Sequence, residues 1–170
     1  MADGVGTAGG LQRKAPRAGQ AFSRSHQARH QARRSPAPQV IADTSAWVEF
    51  LRMTGSRCDL RLRKAFRAEQ TVWMPAVVLQ ELLQGARNPA QFARLEAQLE
   101  RLPGLDELAP RDVARDAALL YARCRWQGLT VRSPNDCVVA ACAIASGLPV
   151  LAQDRDFEAI AHVEPALRLM

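Results

Sequence analysis

The chain has 170 residues, 48% of them apolar, enough for one packed domain that hides about two thirds of its unfolded-chain surface. Its four cysteines (Cys58, Cys124, Cys137, Cys142) form no CxxC pair and two of its three histidines precede Val40, which argues against a His/Cys zinc cage or a disulfide framework. The net charge of +6 belongs to the N-terminal stretch: seven of 23 basic and one of 17 acidic residues precede Val40, leaving 16 against 16 and no large phosphate-attracting field on the body.

Residues 1–39 are rich in Ala, Arg, Gln, Gly and Ser, with few large apolar side chains and no sustained period. The composition predicts a disordered, Arg-rich extension. Two readings of it stay open: a start placed upstream of the natural one (or a fusion remnant), and a native basic arm that binds nucleic acid. No apolar stretch follows the basic N-terminus, as a signal peptide would require.

From Val40 to Met170 short apolar runs alternate with amphipathic segments, which predicts an α/β domain. Val40-Ile41-Ala42 reads as a buried strand, followed by helices over about 45–53 and 58–69. Thr71-Val72-Trp73-Met74 reads as a second strand. Pro75 then suits a first helical position, with a helix to Gln84 stopped by Gly85. Phe92, Leu95 and Leu99 recur three and four apart, giving a helix over 89–101. Leu105 to Leu108 is expected as a short strand, and Arg111 to Gln127 as a long helix ended by Gly128. A helix over 134–145, again ended by glycine, precedes a third strand over 149–152 and a last helix starting near Asp154. The most apolar segment, 137–152, is shorter than the roughly 20 residues a membrane helix needs and is broken by Ser146-Gly147-Leu148-Pro149, so no span is expected.

The strands expected at 40–42, 71–74 and 149–152 are each followed closely by an acid. Asp43 comes directly after the first, Asp154 after the third with Asp156 two further on, and Glu81 on the helix after the second; Asp136 lies in the first turn of the 134–145 helix. Parallel sheets build sites outside the carboxyl ends of their strands, where acids distant in sequence converge. Each acid also has an ordinary reading. Asp43 and Asp154 suit helix N-caps, Ser133-Pro134-Asn135-Asp136 resembles a capping box, and Glu81 could be a solvated helix residue. Together, however, four carboxylates suit a hard divalent ion that holds a phosphodiester and activates water without a protein nucleophile. No G-x-S-x-G elbow is present, and His162 is the only histidine after Val40.

These residues also carry a family likeness. Val40 to Leu51 (VIADTSAWVEFL) resembles the opening strand and first acid of PIN-domain toxins of the VapC type. Val78 to Ala86 (VLQELLQGA), Val131 to Ala141 (VRSPNDCVVAA) and Leu148 to Phe157 (LPVLAQDRDF) resemble their second, third and fourth motifs, in the right order. The resemblance implies a PIN-like three-layer α/β sandwich with a mostly parallel sheet over residues 40–170. It further implies a cytoplasmic bacterial endoribonuclease that uses Mg²⁺, with Mn²⁺ able to substitute. Asp43, Glu81, Asp136 and Asp154 match the family's acids, with Asp156 as a further ligand or a helix cap. Thr44, Ser45 and Asn135 match polar positions that orient the ligands. The implied partners are RNA, a cognate antitoxin protein and a second copy of the chain. Residues 1–39 depart from the pattern, since such proteins start just before the first strand.

Other features draw plainer readings. Trp47, Trp73 and Trp126 sit beside apolar neighbours and suit core or dimer packing more than base stacking. Arg132, four residues before Asp136, is the arginine best placed to meet substrate phosphate, ahead of Arg87, Arg123 and Arg125. Asp106, Glu107, Asp112 and Asp116 read as solvated acids. Two other functions compete. A non-catalytic nucleic-acid-binding module would use the basic arm, but four carboxylates without a cation would repel phosphate. A phosphatase of the haloacid dehalogenase kind would want an acid two residues after Asp43, where Ser45 stands, and a downstream lysine, where only Lys64 exists.

Overall fold

Three parallel strands form the centre of the domain in the computed structural model, which describes residues 39–170. The expected disordered extension lies outside the described residues, apart from Gln39, which opens the first strand. The strands are β1 (Gln39–Ala42), β2 (Thr71–Trp73) and β3 (Val150–Leu151), in the order β2-β1-β3. Val40 pairs with Val72, and Ile41 pairs with both Trp73 and Val150. Beyond β3, Leu169 adds a single parallel bridge to Val150.

Among the described residues seven helices connect and cover the strands: α1 (Thr44–Arg52), α2 (Arg57–Arg67), α3 (Ala76–Gln84), α4 (Pro89–Leu99), α5 (Pro110–Trp126), α6 (Pro134–Ser146) and α7 (Asp156–Val163). Local chemistry sets their ends. Ser56 caps α2 by accepting from Asp59 N at 3.3 Å, and Asn88 caps α4 by accepting from Gln91 N at 2.8 Å, with Pro89 next in the first turn. Gly147 ends α6 in the left-handed conformation, φ 66°, where a side chain would be strained.

The chain leaves β1 through α1 and α2 to reach β2 on one side, then returns through α3 to α6 to reach β3 on the other. Right-handed crossovers in opposite directions put the two sets of helices on opposite faces of the sheet. The core follows from that sandwich. Ile41, Val72, Val150, Leu151, Leu62, Leu120, Phe157 and Ile160 are all buried, each contributing about 1.5–3 kcal/mol of apolar burial. The four cysteines are buried free thiols within the same core.

Several local expectations need correction. Residues 105–108 form a turn, with Leu108 N donating to Leu105 O at 3.1 Å. Leu-Asp-Glu-Leu spaces its leucines three apart, which suits a turn closing on itself more than a strand alternating every second residue. Pro75 is the residue before α3, with extended ψ of 147°, and not its first helical position. The last helix begins at Asp156, two residues later than expected. Trp47 is buried against Phe50 and Phe66 and Trp73 is half-buried, while Trp126, at the end of α5, is 74% exposed and so lies outside the core, which leaves the dimer-packing alternative for it. No helix among the described residues is long and apolar enough to cross a membrane.

Candidate active site

β1 lies between β2 and β3, so the connection after β1 and the connection after β2 cross the sheet in opposite directions. Such a reversal leaves a crevice at the carboxyl end of β1, and Asp43 stands at its lip as the residue after Ala42. Asp43 does cap α1: Oδ2 accepts from Ser45 N at 2.9 Å and from Ser45 Oγ at 2.7 Å. Ser45 Oγ in turn accepts from Gln153 N at 2.9 Å, tying the β1 end to the β3 end. The cap reading and the site reading are therefore one arrangement. Asp43 is 3% exposed, and burial raises its pKa above the usual carboxylate value, with the charge of Glu81 adding to the rise.

Glu81, on α3, is half-buried and not a solvated surface residue. Its Oε2 accepts from Thr44 Oγ1, and its Oε1 accepts from Asn135 Nδ2 at 2.6 Å. Three elements, α1, α3 and α6, meet at this one carboxylate.

Asp136 is the most perturbed acid. The capping-box reading fails here, because Ser133 makes no side-chain cap bond and only its carbonyl accepts from Asp136 N at 3.1 Å. The carboxyl group turns inward instead, and its Oδ2 is buried with no hydrogen-bond partner. Burial first, and then the charges of Asp43, Asp154, Asp156 and Glu81, push its pKa up to about 7. Buried oxygens are ordinarily satisfied, so an orphan among five carboxylates needs a counter-charge.

Asp154 and Asp156 complete the cluster, with one carboxylate oxygen of each lying within 4.8 Å of the others and of one from Asp136. Asp154 Oδ1 accepts from Asp156 N at 3.0 Å, a cap-like turn just ahead of α7. Asp156 is buried, and both of its oxygens are engaged by Arg132: Oδ2 accepts from the backbone N at 2.7 Å and Oδ1 from Nε at 3.1 Å. The exposed Arg132 guanidinium also bonds Asp154 Oδ1, so it sits on the rim of the cluster, already paired with acids. Sequence pattern alone missed this clamp. Its signal was a basic residue four before Asp136, but nothing in the chain order says that Arg132 faces the turn before α7. Arg123, by contrast, is held 2.7 Å from Glu164.

All nine residues singled out by sequence therefore lie on or around one acidic cluster. Its donors are hard carboxylate oxygens, and a buried oxygen lacks a partner, which together suit a hard divalent cation at Asp136, Asp154 and Asp156, with Asp43 and Glu81 adding their charge to Asp136.

Comparison with known proteins gives the same frame. A family model described as "PIN domain" matches residues 40–163. "VapC ribonuclease Mb1587" of Mycobacterium bovis and "Ribonuclease VapC11" of Mycobacterium tuberculosis are each 38% identical over 125 residues, spanning 73% of this chain and 92% of theirs. Among solved structures, DNA-bound VapBC from Salmonella typhimurium superposes with a TM-score of 0.61 at 24% identity, covering 78% of this chain and 97% of that one. VapBC-5 from Mycobacterium tuberculosis, described as a member of the VapBC family of toxin-antitoxin systems, superposes with a TM-score of 0.55 at 26% identity, covering 78% and 97%.

Proposed function

The chain belongs to the PIN domain family, and from that premise we propose that it is a metal-dependent endoribonuclease, the toxin of a bacterial toxin–antitoxin pair. The observation that carries the reading is Asp136: a buried carboxyl group with an unpartnered oxygen, surrounded by four other acids. Such a group is costly unless a cation compensates it. Mg²⁺ suits the oxygen donors, and Mn²⁺ accepts the same set.

When bound, the divalent ion would supply Lewis acidity, lowering the pKa of a coordinated water and polarising the phosphoryl oxygen. The chain's own residues prepare the place. Asp136 and Asp154 present the ligand oxygens, Asp43 joins them as the family likeness implies, and Glu81 borders them, fixed by Thr44 and Asn135. Ser45 orients Asp43. Asp156, though in the same group, has its oxygens committed to Arg132, so it anchors the loop before α6 and is a weaker candidate for a ligand. Arg132 screens Asp154 and stands where a phosphate oxygen would approach.

The relatives named as VapC ribonucleases and VapBC complexes support RNA as the substrate and a cognate antitoxin as the partner, and the same proposal takes a homodimer in a bacterial cytoplasm as the working form. The test is cleavage of total RNA by the purified full chain with Mg²⁺ or Mn²⁺, beside EDTA and Asp43→Asn controls. Cleavage lost in both controls is the expected result. Equal cleavage by Asp43→Asn would remove the site from the account.

A further inference from the structure

A cleft of about 390 Å³ opens beside the acidic cluster and shares Asp154 with it. Arg57, the first residue of α2, and Arg155, just ahead of α7, supply its cations. Leu169 and Met170 line it too, on the segment that bonds β3 through Val150 N to Arg168 O (2.8 Å) and Met170 N to Val150 O (2.9 Å). We propose that this cleft is a subsite for one unstacked nucleotide of a single-stranded RNA, next to the phosphodiester that the acidic cluster cuts. The inference rests on the nuclease reading and deepens it.

Four observations converge. Arg57 and Arg155 are exposed on the cleft lining, and neither makes an ion pair with another described residue, unlike Arg132 on the neighbouring rim. An arginine left without an acid beside a phosphate-cleaving centre is available to a phosphate or to a base face. Glu158 is the opposing charge on the lining besides Asp154, and a cation bound at the cluster offsets Asp154. Leu169 is 42% exposed, an apolar platform for a base of the kind that single-stranded RNA offers and a duplex hides. The volume falls in the range of small-ligand pockets, roughly 300–1,000 Å³, which holds one nucleotide and excludes a helix. Finally, the cleft and the acidic cluster share Asp154, so a strand whose scissile phosphate lies over Asp136 and Asp154 would continue into the cleft.

The experiment is photo-crosslinking of the full chain to a single-stranded RNA dodecamer carrying 4-thiouridine, with Ca²⁺ in place of Mg²⁺, mapped by mass spectrometry. Site-resolved adducts separate the cleft from any contact made by the basic residues 1–38. Adducts are expected at residues 150–158, at 168–170 or at position 57, and they fall several-fold in Arg57→Gln/Arg155→Gln while adducts elsewhere persist. In cleavage assays the same variant loses more in KM than in kcat, and the log–log salt dependence of binding shrinks by about 0.7 for each phosphate contact removed. Adducts confined to other surfaces, or undiminished at the cleft in the double variant, overturn the subsite. Cleft adducts without Mg²⁺-dependent cleavage by the wild type uphold the subsite and sink the nuclease reading; cleavage with no cleft adducts does the reverse.

Discussion

At Asp136 two demands oppose each other. Folding buries the carboxyl group to 7% exposure and leaves Oδ2 without a partner, while four neighbouring acids repel its charge. A residue kept at that cost in stability gains its use from a ligand. Asp136→Asn should therefore abolish cleavage and yet raise the melting temperature in EDTA at pH 8 by a few degrees, because it removes a repelled buried charge. A fall in melting temperature would show that the carboxylate is structurally satisfied without metal. Asn135 makes the complementary case. Its amide donates to Glu81 at 2.6 Å, so Asn135→Ala should cut cleavage roughly 10–100-fold, with little change in thermal stability. Activity within twofold of wild type would mean that Thr44 alone orients Glu81. Asp43, Asp136, Asp154 and Asp156 were legible in sequence because each follows a strand or opens a helix, whereas Glu81, in the middle of α3, stood out from other helix acids only through family likeness. Their hydrogen-bond partners were legible only through family likeness, since nothing in the spacing of Thr44, Glu81 and Asn135 puts them in contact.

Elements were legible where periodicity and punctuation agreed. Gly85, Gly128 and Gly147 follow helices where expected, at or within two residues of their last turns, and the apolar runs before Asp43 and Asp154 became β1 and β3. Residues 105–108 were misread because four residues are too few to separate a strand from a turn. α6 shows why a helix can be legible without an amphipathic stripe. Asp136, Cys137, Val139, Ala140, Ala141, Cys142 and Ala143 are all buried, so it is enclosed on more than one face and small residues let its neighbours approach. Burial also pushes the Cys137 and Cys142 thiols up, to about 12 and about 11, which keeps them protonated and inert at neutral pH. Ala140 is fully buried, and Ala140→Leu should overpack the helix and cost about 1–3 kcal/mol in denaturant unfolding. A change under about 0.5 kcal/mol would mean that α6 has room that its burial denies.

For the whole molecule, the charge of the body is balanced, and the acids gathered around Asp136 set a pH dependence. The folded-state pKa of Asp136 is raised from 3.8 to about 7, so between those values the folded state binds more protons than the unfolded one. Metal-free stability should therefore fall as pH rises from about 4 to about 7 and level off above, by at most a few kcal/mol from this group. Mg²⁺ or Mn²⁺ should restore stability on the alkaline side, where the carboxylates are free to bind it. Urea unfolding across pH, with and without metal, checks both signs; stability rising through that window in EDTA would contradict the assignment. The most direct test of the central claim pairs Mn²⁺ calorimetry with RNA cleavage across the same Mn²⁺ concentrations, for the full chain and Asp136→Asn. Binding and cleavage should saturate together in the wild type and disappear together in the variant. Cleavage that persists in EDTA, or that Asp136→Asn leaves intact, would contradict a cation held by this cluster as the agent of RNA hydrolysis.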